Sequence, residues 1–238
     1  MGEYYNAFFS LAVGLERLCK LILSFDYQQS QQRFPTTKDL KSFGHEIEKL
    51  ISKVDDIAAE RNVCSKYKCD NEISKAIISE LDSFADAKRG RYANFSMMEG
   101  VGGTSEEPLS SWDSNVGERI LRRHFRDTEK ERLARSRASV MQALLGDVAI
   151  VRHMAEDGSA LDTIEKASFR TAENEIAQKY GRYYAFLVIR YLADVFYELT
   201  CKRGYEAGGE MWFSHYEHFN TFTVPDEFGL RRKIWPLR

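Results

Sequence analysis

The stretch from Tyr4 to Phe25 constrains this chain more than any other. Phe8, Leu11, Leu15, Leu18, Ile22 and Phe25 recur at three- and four-residue steps, placing six large apolar side chains on one helical stripe. The opposite side carries Phe9, Val13 and Leu23, and the only charges inside the run are Glu16, Arg17 and Lys20. Glu16 and Lys20 stand one turn apart in the order that favours a helical ion pair. A helix so apolar around its circumference must be covered on most sides, which predicts an all-α fold with this helix in the middle of a bundle.

The rest of the chain extends that expectation. After a polar connector, 26–37, Thr36 or Thr37 can cap a second helix over 38–61, whose Leu40, Phe43, Ile47, Leu50, Val54 and Ile57 repeat the spacing of the first. Matching stripes joined by a short connector predict antiparallel neighbours. Asp70 or Asn71 caps a third helix, ended by Gly90, with Ile73, Ile77, Leu81 and Phe84 on its buried face. The segment 90–115, with Gly100, Gly102, Gly103 and Pro108, reads as a long loop; its Gly-Val-Gly-Gly run lacks the preceding strand and following Lys-Ser/Thr of a phosphate loop. A fourth helix starts near Ser114 and runs through a charged stretch to Gly146, and a short helix is expected at Val148–Met154 before a turn at Asp157-Gly158. The last long helix, from about Thr171 to Cys201, is as apolar as the first, which predicts that the two pair in the core. Trp212, Phe213, Tyr216, Phe219, Phe222, Phe228 and Trp235 then make a ring-rich tail expected to fold back on the bundle. The chain thus reads as one domain over 1–238: first helices 1–90, loop 90–115, second helical half 116–203 and aromatic tail 204–238.

Charge and cysteines narrow the function classes. With 34 Lys+Arg against 36 Asp+Glu, the net charge of -2 supplies no global field for nucleic acid or anionic membrane, so such binding must come from a local patch. Met1-Gly2-Glu3 is not a basic secretory start, and the charges inside the first apolar run exclude a membrane span. Asn6 stands where an N-myristoylation signal needs Ser or Thr. These features predict a cytoplasmic protein with reduced Cys19, Cys64, Cys69 and Cys201, no membrane partner and no cofactor.

The local patch is the run from Arg119 to Arg137. Arg119, Arg122, Arg123, Arg126, Lys130, Arg132, Arg135 and Arg137 face Asp127, Glu129 and Glu131, and 8 minus 3 leaves +5. On a helix Arg119, Arg122, Arg123 and Arg126 fall at i, i+3, i+4 and i+7, one face of guanidiniums suited to phosphates. The alternative is a solvated face balanced by neighbouring carboxylates. Arg89 and Arg91, bracketing Gly90 ahead of Tyr92 and Phe95, either clamp a nucleotide or close the end of the third helix. Cys64 and Cys69 with His215 and His218 carry four zinc-competent side chains at loose spacing, which read more simply as loop thiols and tail histidines; no metal is expected. His45, beside Gly44, reads as a partly exposed helix histidine.

The Leu15-Glu16-Arg17-Leu18-Cys19-Lys20 segment, the Pro35 connector and Lys41-Ser42-Phe43-Gly44-His45-Glu46-Ile47 together resemble the HEPN superfamily (higher eukaryotes and prokaryotes nucleotide-binding). That resemblance covers roughly residues 4–90, and Arg119 with His124 matches the family's Arg-x4-6-His motif. It implies a compact, often dimeric helical domain acting as a metal-independent ribonuclease in prokaryotic defence or toxin–antitoxin systems. In that reading His124 is general base or acid on the ribose 2′-hydroxyl and Arg119 steadies the phosphate. The chain departs from the family in having Ile120, where Asn, Asp or His usually follows the arginine. Five residues at about 100° each also set His124 about 140° around a helix from Arg119, so convergence needs a helix break or a second chain. Two further expectations stand beside this one: a non-catalytic helical module whose Arg face docks an acidic partner, and a zinc-stapled domain.

Overall fold

A computed structural model describes residues 2–85, 108–156, 158–202 and 217–233, and the architecture over these is all-α. Helix α1, Gly2–Gln31, has 30 residues and spans about 45 Å. Helices α3, Ile47–Glu60, and α4, Glu72–Ala85, pack along it, and α8, Ile164–Tyr197, closes the bundle. The main core is built where they meet: Leu15, Leu18 and Ile22 of α1, Leu50 and Val54 of α3, Ile77 and Leu81 of α4, and Leu192, Val195 and Phe196 of α8. The expected pairing of the two apolar helices is therefore present. Helix α8 also reaches past this core. Its first half packs on α7, Glu129–Leu145, over a second cluster of Leu121, Phe125 and Ala134 with Phe169, Ala172 and Ile176.

Several boundaries differ from the sequence reading. Helix α1 runs six residues past Phe25, held by Arg61, the residue capping the end of α3, whose Nε and Nη2 donate to Asp26 Oδ1 at 2.9 and 2.7 Å. The second helix is two. Thr36 caps α2, Thr37–Ser42, through a reciprocal capping box with Asp39, and the chain turns at Gly44, φ 89°, before α3. His45 consequently sits outside any helix, with Nδ1 2.9 Å from Glu16 Oε1. The expected loop 90–115 is helical over its described end: Pro108 opens α5, Pro108–Trp112, which widens into a π-helical turn at Asp113–Gly117 and continues as α6, Glu118–His124. The fourth helix then breaks at Asp127, φ 58°, before α7. In place of a helix at Val148–Met154 there is β1, His153–Met154, paired antiparallel with β2, Ala160–Leu161, around a turn with Gly158 at φ 81°. Helix α8 begins seven residues ahead of Thr171, because Thr163 caps it by accepting from the Lys166 amide.

Part of the tail packs back as expected. Phe219 meets Phe196 edge-on at 6.2 Å, and α9, Asp226–Arg231, lays Gly229 against the Phe186 ring. Arg190 of α8 reaches both Asp226 and the Val224 carbonyl. Trp212, Phe213, Tyr216 and Trp235 lie outside the described residues, as do Arg89, Arg91 and His215. No helix among the described residues is long and apolar enough to cross a membrane.

Candidate nucleic-acid interface

Helix α6 sorts its residues by face. Ile120 and Leu121 are buried, while Arg119, Arg122 and Arg123 occupy the solvent side. Arg122 and Arg123 have no carboxylate within ion-pairing distance among the described residues. Arg119 has only a loose one, Nη1 to Glu72 Oε2 of α4 at 3.9 Å.

Arg126 does not join them. Its place on the same face required α6 to continue, but the helix ends at His124 and Phe125 turns inward, 1% exposed, against the Phe169 ring at 5.8 Å. That turn carries Arg126 toward the protein, where it bonds Glu173 and approaches Glu118 at 3.4 Å and Glu131 at 3.9 Å. Burial opposes its charge, and the hydrogen bond and field of Glu173 reverse the effect, so the guanidinium is held more firmly protonated than a free arginine. Arg126 is a structural cation, which corrects its assignment as a phosphate ligand.

His124 lies at the same helix end and faces α8. Its ring stacks on Tyr180 with centroids 3.6 Å apart and planes 5° from parallel, and Nε2 shares a 2.9 Å hydrogen bond with the Tyr184 hydroxyl. Burial first, then the charges of Arg123 and Lys130, lower its pKa to about 4. The imidazole is thus neutral near pH 7. Lys130 and Lys179 place their ammonium groups 5.9 and 5.7 Å from the Tyr180 ring centre, adding two cations to the rim. Arg119 leans toward α4 while His124 faces α8, so one chain does not bring the motif's two residues onto a common point.

The apolar pattern of the last helix does not single out Tyr180, Tyr184 or Lys179, and Lys130 enters the sequence reading only as one charge of the basic run. The i, i+4 spacing of the two tyrosines puts both on one helix face, a signal that needed only knowledge of what covers that face.

The other candidates fare differently. Cys64 is exposed and Cys69 half-buried, with its thiol pushed up by burial and its sulfur accepting from Asn71 Nδ2 at 3.2 Å. Cys19, in the core, is pushed up to about 12 by burial and by Asp55, which disfavours a nucleophilic role. Among the described residues no three His, Cys, Asp or Glu side chains gather as metal ligands. A cavity of about 230 Å³ between α1, α5 and α8 is lined by Phe8, Leu11, Trp112 and Gly181, and the Asp113 and Glu156 carboxylates at its edge are both held by Arg170. No family model, curated protein or solved structure matches this chain.

Proposed function

We propose that this chain is a HEPN-like RNA-binding protein of a prokaryotic defence or toxin system, using the patch formed by α6, the start of α7 and the middle of α8. The observation that carries this reading is the stack of His124 on Tyr180, rimmed by Arg123, Lys130 and Lys179, with Arg122 exposed on the same helix. Guanidiniums with no carboxylate within ion-pairing distance among the described residues can grip phosphates, and a half-buried aromatic pair supplies an edge for an unstacked base. The surrounding cations favour a polyanion over an apolar ligand.

A second step on the same site would have His124 take the proton of a ribose 2′-hydroxyl as the 2′-oxygen attacks the phosphorus and the bond to the 5′-oxygen breaks, with Arg119 of a second copy steadying the phosphate. An imidazole lowered to about 4 is a weak base for that step, so RNA binding is the primary reading.

Binding of a fluorescent single-stranded RNA, followed against salt concentration, tests the first reading. The wild-type affinity should fall steeply with salt, and Arg122→Glu with Arg123→Glu should cost at least about tenfold and lower the salt slope by about 2. No binding at low salt, or unchanged affinity in the double variant, removes RNA as the partner and leaves the acidic-protein alternative. Cleavage of the same RNA, abolished in His124→Ala, would support the ribonuclease reading; full cleavage in that variant overturns it.

A further inference from the structure

The apolar cavity between α1, α5 and α8 does not stand alone. Ala177, Gly181 and Ala185 stand four residues apart on α8, so a strip with no side chain beyond Cβ faces Phe8, Leu11 and Trp112, and about 230 Å³ stays open between them. The Phe8 and Trp112 rings meet with centroids 4.8 Å apart and planes at 39°, which gives the space an aromatic corner. A cavity of about 150 Å³ with apolar walls holds benzene, so this one has room for an aromatic body of about two rings. Gln178 and Arg182 line the cavity and also a second concavity, a cleft of about 540 Å³ between α8 and α9, so the two abut there. The cleft is basic: among the described residues Lys179, Arg182, Arg231 and Lys233 border it against the single carboxylate of Glu175. All four cations are exposed, and none has a carboxylate within ion-pairing distance among the described residues. The Asp113 and Glu156 carboxylates of the cavity, by contrast, are both bonded to Arg170.

We propose that the two concavities form one binding site for an amphipathic organic anion, with an aromatic body of about two rings in the cavity and a carboxylate or phosphate head in the cleft. The cavity walls favour the body by taking it out of water, and they do not select for charge. Arg182 and Arg231 make that selection, since a guanidinium offers charge-assisted hydrogen bonds to an oxyanion. A neutral hydrocarbon leaves these cations unused, and a bare oxyanion leaves the cavity empty. At the junction Gln178 Nε2 donates to the Tyr4 hydroxyl at 3.2 Å, a polar pair beside which the ligand passes from apolar to charged surroundings. The site rests on neither RNA binding nor a second copy of the chain, and Lys179 is the one residue it shares with the patch around His124.

Equilibrium dialysis of the full chain against 1-naphthaleneacetate, its neutral analogue 1-naphthaleneethanol and sodium acetate reads the two halves of the site separately. The naphthyl acid should bind with a Kd on the order of 100 µM, the alcohol about tenfold more weakly, and acetate not at all at about 10 mM. Arg182→Gln with Arg231→Gln should weaken the acid about tenfold and leave the alcohol as it was, because both side chains are exposed and act on the head alone. Ala177→Leu, which extends a side chain into the cavity, should weaken acid and alcohol alike by at least about tenfold with an unchanged far-ultraviolet circular dichroism spectrum. No binding of the acid at about 1 mM, or equal affinities for acid and alcohol, overturns the proposal. So does an acid affinity that the arginine variant leaves unchanged, and that measurement decides the matter should Ala177→Leu fail to fold. Displacement of the bound acid by a short single-stranded RNA would assign the cleft to RNA and likewise overturn it.

Discussion

With Tyr180 stacked on one face and Tyr184 bonded to Nε2, the His124 imidazole has lost part of its hydration, and the charged form suffers most. Arg123 and Lys130 add like-charge repulsion. The consequence for stability has a definite sign. Above pH 6.5 both folded and unfolded chains carry a neutral ring, so the full stability is present. As pH falls from 6.5 toward the folded value of about 4, the unfolded state takes up a proton that the folded state resists, and stability is lost across that window. Unfolding in urea at a series of pH values should show this loss in the wild type. His124→Gln should lack a part of it on the order of 1 kcal/mol, reduced by the partial exposure of the ring. Identical pH slopes in the two proteins would deny the ring its depressed pKa. Nothing at position 124 itself announces this behaviour. The largest part comes from burial against α8, where Tyr180 and Tyr184 lie 56 and 60 residues further on.

At the scale of elements, the helices were legible and their breaks were not. Phe43 and Ile47 stand four apart, so the apolar stripe runs straight through a point where the chain in fact turns. Gly44 adopts φ 89°, a region that a Cβ makes costly, and it ends α2 in the manner of a glycine cap. Gly44→Ala should therefore destabilise the protein by about 1–2 kcal/mol although a Cβ there meets no neighbour within 4 Å, as read from its denaturation midpoint. A neutral or stabilising result would mean that the turn tolerates a side chain. The same lesson applies to 108–117. Pro108 reads as loop chemistry, yet proline suits the first turn of a helix, where its missing N–H is no loss. The π-helical turn that follows positions Asp113 for Arg170, a purpose invisible until both elements are in place.

Across the whole molecule, α8 is the member that joins two hydrophobic clusters, and a polar network ties the joint. Arg170, 11% exposed, bridges Asp113 of the π-helical turn at 2.8 Å, Glu156 beyond β1 at 2.9 Å, and Glu173 of its own helix at 3.4 Å. Burial works against this charge, and the hydrogen bonds and fields of Asp113 and Glu156 outweigh it, so the guanidinium stays firmly protonated. Replacing the cation strands three part-buried carboxylates. Arg170→Met should cost about 3 kcal/mol at pH 7. The urea midpoint reads this loss, and a deficit below about 1 kcal/mol would mean that the network contributes little to the joint.

The helical class and the pairing of the first and last long helices follow from side-chain spacing alone, because 3.6 residues per turn is a local property of the backbone. That Arg119, Arg122 and Arg123 point to solvent was legible for the same reason. Where Arg126 points was not: a turn at Phe125 and a carboxylate at Glu173, 47 residues away, decide it. Likewise the acidity of His124 depends first on its burial against α8, an element 40 and more residues further on. Periodicity reports which side of a helix is apolar; only the packed structure supplies the neighbours whose charges and rings set what a polar side chain on that helix can do.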